Sequence, residues 1–249
     1  RDFIEHELRG AIGRELQLAF QPIVRLDDHR ARWVEALCRW PRPDGAIPPD
    51  EFIPIAEHGG LIGELGRWTI EEAARWCARW ARELGTPPSV TVNVSAREVS
   101  PDLVATIARA LELNRLPGRA LAIEITERLV LEDTPGTLAS LGEIRALGVP
   151  LLLDDFGSGY ASLDALRTVP FDAVKLDRSL IRRLVEDERD RTLVAGAIAL
   201  GAALGVDVVA EGVETYEQAR VLYELGCPFA QGYYFCRPAP GADAGLDLA

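Results

Sequence analysis

From residue 89 onward, short apolar runs alternate with amphipathic stretches, and this rhythm restricts the fold more than any other feature. SVTVNVS (89–95), ALAIEIT (120–126), VPLLLDDF (149–156), DAVKLD (172–177), VDVVAEG (206–212) and PFAQGYYF (228–235) read as strands. Residues 101–114, 135–147, 161–168, 179–204 and 214–225 read as the helices between them, the fourth broken at the charge cluster 186–191. Most of these strands lack strict apolar–polar alternation, as expected when both faces are covered. Strand–helix–strand units in series demand parallel pairing with helices outside.

The first 88 residues depart from that rhythm. Residues 2–16 carry Phe3, Ile4, Leu8, Ile12 and Leu16 at helical spacing. LAFQPIV, ending near Arg25, and RARWVEALCRW (30–40) then read as two strands joined by the turn DDH at 27–29, an antiparallel hairpin. Residues 50–58 and 61–84 read as helices, the longer one with a stripe of Trp68, Trp76 and Trp80 that belongs to packing. Eight strands with intervening helices in 249 residues predict an α/β fold, a (β/α)8 TIM-like barrel with an antiparallel first strand. Residues 1–240 are expected to form that single domain and 241–249 a flexible tail. Arg1 stands where an initiator methionine would, so the chain is expected to be cut from a longer one.

Charge narrows the function classes. Asp and Glu number 39 against 27 Lys and Arg, a net charge of −12, which argues against a nucleic-acid polymer or an anionic membrane surface as partner. No apolar run reaches the ~18–20 residues of a bilayer span, and the charged N-terminus is unlike a signal peptide. A cytoplasmic location without direct membrane contact is expected, although the rest of a longer parent could carry an anchor. Cys38, Cys77, Cys227 and Cys236 show neither CxxC nor zinc spacing and read as buried thiols.

Barrel chemistry sits at the C-terminal strand ends. Those ends carry Glu35, Asn93, Glu124 with Glu127 following, Asp154 and Asp155, Lys175 and Asp177, Glu211 with Glu214 following, and Gln231. A single strand-end carboxylate is usually a helix cap or turn residue. So many at one mouth would repel one another unless compensated. Lys175 is the one cation among them, with Arg39 nearby, so bound cations are expected to complete the balance. The donors are oxygens without His or Cys, which selects Mg²⁺ or Mn²⁺. Adjacent Asp154 and Asp155 suit a bridge between two ions, the arrangement that favours phosphodiester hydrolysis. His6, His29 and His58 lie away from these ends.

These residues occur within motifs that resemble the EAL-domain phosphodiesterases of bacterial cyclic di-GMP signalling. FQPIV (20–24), EALCRW (35–40), FIPIAEHGGLI (52–62), NVS (93–95), EITE (124–127), DDFGSGYASL (154–163), VKLD (174–177), AEGVET (210–215) and QGYYFCRP (231–238) carry the likeness in order. The resemblance implies hydrolysis of cyclic di-GMP to linear pGpG. It implies Glu35, Asn93, Glu124 and Asp154 as ligands of one ion, with Asp154, Asp155 and Glu211 at a second. It makes Lys175 a contact of the attacking water, Glu211 a general base or metal ligand, and Glu127 an anchor of the DDFGSGYASL loop. Gln21, Leu37, Arg39, Asp177, Glu214 and Gln231 fall where the family contacts ligand or orders its site. The family also implies a homodimer. Cys38, Ser158 and Ala161 depart mildly from its pattern. Two other readings stand beside this one: a cyclic di-GMP receptor without turnover, and an aldolase-like Schiff base at Lys175. The crowd of carboxylates disfavours the second.

Overall fold

The structure, a computed structural model, describes residues 2–43, 45–85, 89–126, 135–158 and 163–243. Its elements run α1 (Asp2–Ala11), β1 (Gln17–Arg25), β2 (Ala31–Arg39), α2 (Pro49–His58), α3 (Ile62–Leu84), β3 (Ser89–Val94), α4 (Pro101–Asn114), β4 (Leu121–Thr126) and α5 (Pro135–Ala146). The second half comprises β5 (Leu151–Phe156), α6 (Leu163–Thr168), β6 (Ala173–Leu176), α7 (Arg178–Arg182), α8 (Glu188–Leu204), β7 (Asp207–Ala210), α9 (Tyr216–Glu224), β8 (Phe229–Ala230) and β9 (Ala239–Pro240).

Strands β2 to β8 follow one another in a parallel sheet that β1 closes, pairing antiparallel with both β2 and β8. The expected barrel with its inverted first strand is therefore present. The inversion follows from chain economy, since the five residues 26–30 between β1 and β2 cannot return a chain parallel to itself. Helix α1 ends at Ala11, short of the expected residue 16, because Gly13 takes a left-handed φ of 75° within the turn that follows. The last strand contracts to Phe229–Ala230 from the expected 228–235. Gly232 lies against the backbone of Val213, where a Cβ would come within 2.0 Å of the carbonyl oxygen, and the chain turns away there. Of the expected flexible tail, residues 241–243 form a 3₁₀ turn, and 244–249 lie outside the described residues. Just before them, β9 pairs with Ala19 and Phe20 of β1.

Side chains alternate across each strand, so every second residue enters the barrel. Ile23, Trp33, Ala122, Leu152, Ala173, Val209 and Phe229 form an apolar floor, with Trp33 and Phe229 edge to face at 5.0 Å. The outer faces pack under the helices. One cluster joins α3, α4 and α5 to β2–β5; another joins α7, α8 and α9 to β6–β8. The Trp stripe is packing, as expected: Trp80 meets Phe20 at 4.9 Å and its indole N–H donates to the Gly241 carbonyl. All four cysteines are free thiols, with Cys77 and Cys227 buried and Cys38 and Cys236 half-buried. Among the described residues, no helix is long and apolar enough to cross a membrane.

Candidate functional site

Moving two residues along each strand from the apolar floor reaches a polar layer. Ile23 gives way to Gln21, Trp33 to Glu35, Ala122 to Glu124, Leu152 to Asp154, Ala173 to Lys175, Val209 to Glu211 and Phe229 to Gln231. On β3, Asn93 stands in register with Glu124. Alternation thus fixes both the floor and the site with one period.

Lys175 is the centre of this layer. Its ammonium is 1% exposed and lies 2.6 Å from Glu124, 2.6 Å from Glu211, 3.3 Å from Glu35 and 3.8 Å from Asp154. Burial alone would lower its pKa, but the surrounding carboxylates raise it well above the usual lysine value. The site therefore keeps a buried ammonium among four acidic side chains. For Glu35, burial is outweighed by Lys175 and by amide donors, and its pKa falls below the ordinary value. Asn93 Nδ2 donates to Oε1 at 2.7 Å and Gln231 Nε2 to Oε2 at 2.7 Å. Gln231 also donates to Gln21 Oε1 at 3.2 Å, and Gln21 donates to the Cys236 carbonyl at 2.9 Å. Three amides thus orient one carboxylate. Glu124 behaves oppositely: burial, against the pull of Lys175, drives its pKa well up, and its Oε1 is buried without a hydrogen-bond partner. Burial likewise pushes Glu211 to about 8 despite Lys175, with Asp154 and Glu35 adding to the rise.

Consecutive strand residues ordinarily point to opposite faces, yet Asp154 and Asp155 act together. The β5–β6 register shifts between Leu153 and Phe156, and Asp155 takes a left-handed φ of 58°. This bulge brings one carboxylate oxygen each from Asp154, Asp155 and Glu211 within 4.8 Å of one another. Burial and the Asp154 charge raise the Asp155 pKa. An orphaned buried carboxylate oxygen and a convergent all-oxygen donor set fit hard divalent cations.

Two cavities open on either side of this centre. The larger, about 330 Å³, is mainly apolar and includes Arg39, Asn93 and Glu124 in its wall; the smaller, about 230 Å³, includes Gln21, Glu35, Glu211, Glu214 and Gln231. Leu37 lines both, a ridge between them. Arg39 is held by its own neighbour, Nη1 donating to the Cys38 carbonyl. Cys38 points away from the ridge, its thiol 3.3 Å from Thr69 Oγ1. Asp177 lines neither cavity; its carboxylate caps α7, accepting from the Ser179 amide. Glu127 lies outside the described residues, as do 159–162 of its partner loop.

Among the wall residues that sequence reasoning missed are two glutamates, an arginine and a tyrosine. Glu57 accepts from Ser95 Oγ at 2.5 Å and Glu98 accepts from the Ser95 amide at 2.8 Å, in the larger cavity. Arg178 and Tyr233 border the smaller one. Arg178 resembles an ordinary helix-surface residue in sequence, and Tyr233 was read as part of a strand; only the contracted β8 places it at the rim.

The family model for the EAL domain matches residues 5–238. The chain belongs to the EAL domain family. Among curated relatives, the bifunctional diguanylate cyclase/cyclic di-GMP phosphodiesterase MucR of Pseudomonas aeruginosa is 38% identical over 94% of this chain and 35% of its own length. This EAL domain spans about a third of the length of the curated relatives it matches. The solved PaMucR phosphodiesterase in complex with c-di-GMP superposes with a TM-score of 0.89, is 38% identical, and covers 96% of this chain and 98% of its own. The EAL enzyme Bd1971, bound to cAMP and cyclic di-GMP, gives a TM-score of 0.90 at 30% identity over 97% of this chain and 67% of its own.

Proposed function

We propose that this EAL domain is a metal-dependent phosphodiesterase that hydrolyses cyclic di-GMP to linear pGpG. The convergence of Glu35, Asn93, Glu124, Asp154, Asp155 and Glu211 around Lys175 carries the reading. Glu35, Asn93, Glu124 and Asp154 would hold one Mg²⁺ or Mn²⁺ and Asp154, Asp155 and Glu211 a second. Bound there, such ions supply Lewis acidity toward a phosphoryl oxygen and make water a better nucleophile.

The chain's own groups do the rest. Lys175 compensates the carboxylates and places a hydrogen-bond donor beside the reacting phosphate. Glu211, beside Lys175 on the wall of the smaller cavity, is placed to take a proton from attacking water once a bound ion has displaced its own. The two cavities flanking Leu37 suit the two halves of a two-fold symmetric dinucleotide, with Arg39 beside one. A cytoplasmic domain acting as a homodimer completes the proposal.

The test is a hydrolysis assay with purified protein. Cyclic di-GMP should yield pGpG with Mg²⁺ or Mn²⁺, a chelator should stop it, and Glu35→Ala and Asp154→Asn should each abolish it. Tight binding without any product in the wild type would overturn the enzyme in favour of a receptor. Borohydride trapping at Lys175 with chelator-resistant activity would favour the aldolase-like alternative.

A further inference from the structure

We infer that Arg178 is a base-specificity residue: in the smaller cavity it reads the O6/N7 edge of a guanine. This rests on the proposed cyclic di-GMP ligand and adds a residue and a role to it.

The position of Arg178 is built. Asp177 before it caps α7 and fixes the turn from β6. Its stem lies on Gly212, whose φ is 68°, and a Cβ there would come within 2.7 Å of the Arg178 Cβ. A side chain at 212 would therefore dislodge the arginine. Arg178 lines the cavity as its one arginine, beside Glu35, Glu211, Glu214, Tyr233 and Leu37. Among the described residues no ion pair or side-chain hydrogen bond holds its guanidinium, and the acid that feels its charge is Asp155, which does not line this cavity. Its donors can therefore turn to a ligand.

The wall chemistry selects a base over a phosphate. Glu35 and Glu211 already face Lys175, which leaves Arg178 and Glu214 on this wall as a donor and an acceptor side by side, a pair that suits a neutral base with both kinds of edge better than an anion. A neutral guanine suits it: O6 and N7 accept from a guanidinium fork, and the N1–H and N2–H₂ groups donate to a carboxylate such as Glu214. Leu37 offers apolar surface, and the Tyr233 ring, one face of which lies under the Arg237 guanidinium at 4.2 Å, borders the same cavity. Adenine presents an amino group where O6 would be, so only N7 remains for the arginine, and its N1 acceptor would face a carboxylate.

The experiment measures binding by isothermal titration calorimetry, in chelator to prevent turnover, for wild type, Arg178→Ala and Arg178→Lys. The probes are cyclic di-GMP, cyclic di-AMP and the 7-deazaguanine analogue of cyclic di-GMP. Arg178→Ala should weaken cyclic di-GMP by about fivefold or more, the lower end for losing a bidentate guanine contact. It should leave cyclic di-AMP nearly unchanged, so the guanine preference collapses. Arg178→Lys should fall between, and the deaza analogue should lose affinity with wild type only. Equal weakening of both dinucleotides would overturn the inference and mark a phosphate contact. An unaltered affinity for both would overturn it as well. Wild type that binds no cyclic di-GMP would sink the ligand reading itself, a result distinguishable from either.

Discussion

At Lys175, one side chain has a task that no other residue type can perform. Its ammonium meets carboxylates of four strands with 1% exposure, so there is no room for the longer planar guanidinium of arginine. Lys175→Arg keeps the charge and should still remove most of the hydrolysis while leaving cyclic di-GMP binding within a few-fold; retained turnover would refute the fit argument. The contrast with composition sharpens the point, since the other 26 of the 27 basic residues are arginines. A second residue carries a pH signature. Burial raises Glu98 to about 7, with the Ser95 amide opposing and Glu57 adding to the rise. A carboxyl whose folded pKa lies above its unfolded value of 4.5 binds more protons when folded. Its contribution therefore declines as pH rises from about 4.5 to about 7 and stays low above that. Glu98→Gln keeps the acceptor for the Ser95 amide without the charge. Thermal melts should show this variant gaining stability over wild type at pH 8 and matching it near pH 4.5.

Among elements, β5 shows what a strand pattern reveals and what it hides. LLLDD announced a buried strand ending in carboxylates, and the same reading found Glu35, Glu124, Lys175, Glu211 and Gln231, because polar residues interrupting apolar runs at strand ends are visible in sequence. The bulge is not visible: nothing in the letters says that Asp155 adopts a left-handed backbone and joins Asp154 on one side. The contraction of β8 and the ordering of β9 escaped for a related reason, since both depend on long-range contacts with Val213 and β1. The bulge can be tested by separating backbone from charge. Asparagine tolerates the left-handed region, whereas a β-branched side chain does not. Asp155→Asn should therefore preserve the melting temperature and lose metal-dependent activity, and Asp155→Val should lose both, with about 1–2 kcal/mol of stability. Equal stability of the two variants would deny that the backbone is constrained there.

For the whole molecule, the barrel gathers charged and amide side chains that the sequence distributes over more than two hundred residues, from Gln21 to Gln231. The eight barrel strands and their order were legible because helical and extended periods alternate cleanly; the convergence at Lys175 became legible only through the barrel that those periods imply. The consequence is a metal-free state under electrostatic stress. Burial holds protons on Glu124 and Glu211, the latter to about 8, and a divalent ion must displace them. The raised pKa values mean that metal-free protein loses stability as pH rises from 4.5 through about 8, whereas ion binding becomes more favourable over the same window. Added Mg²⁺ or Mn²⁺ should accordingly raise the melting temperature more at pH 8.5 than at pH 6.5, by mass action on the folded state alone. Asp154→Asn should flatten that difference. Melts with chelator and with each ion at both pH values decide it. A metal-induced rise that shrinks with pH, or that persists in Asp154→Asn, would place the ions elsewhere on this acidic molecule.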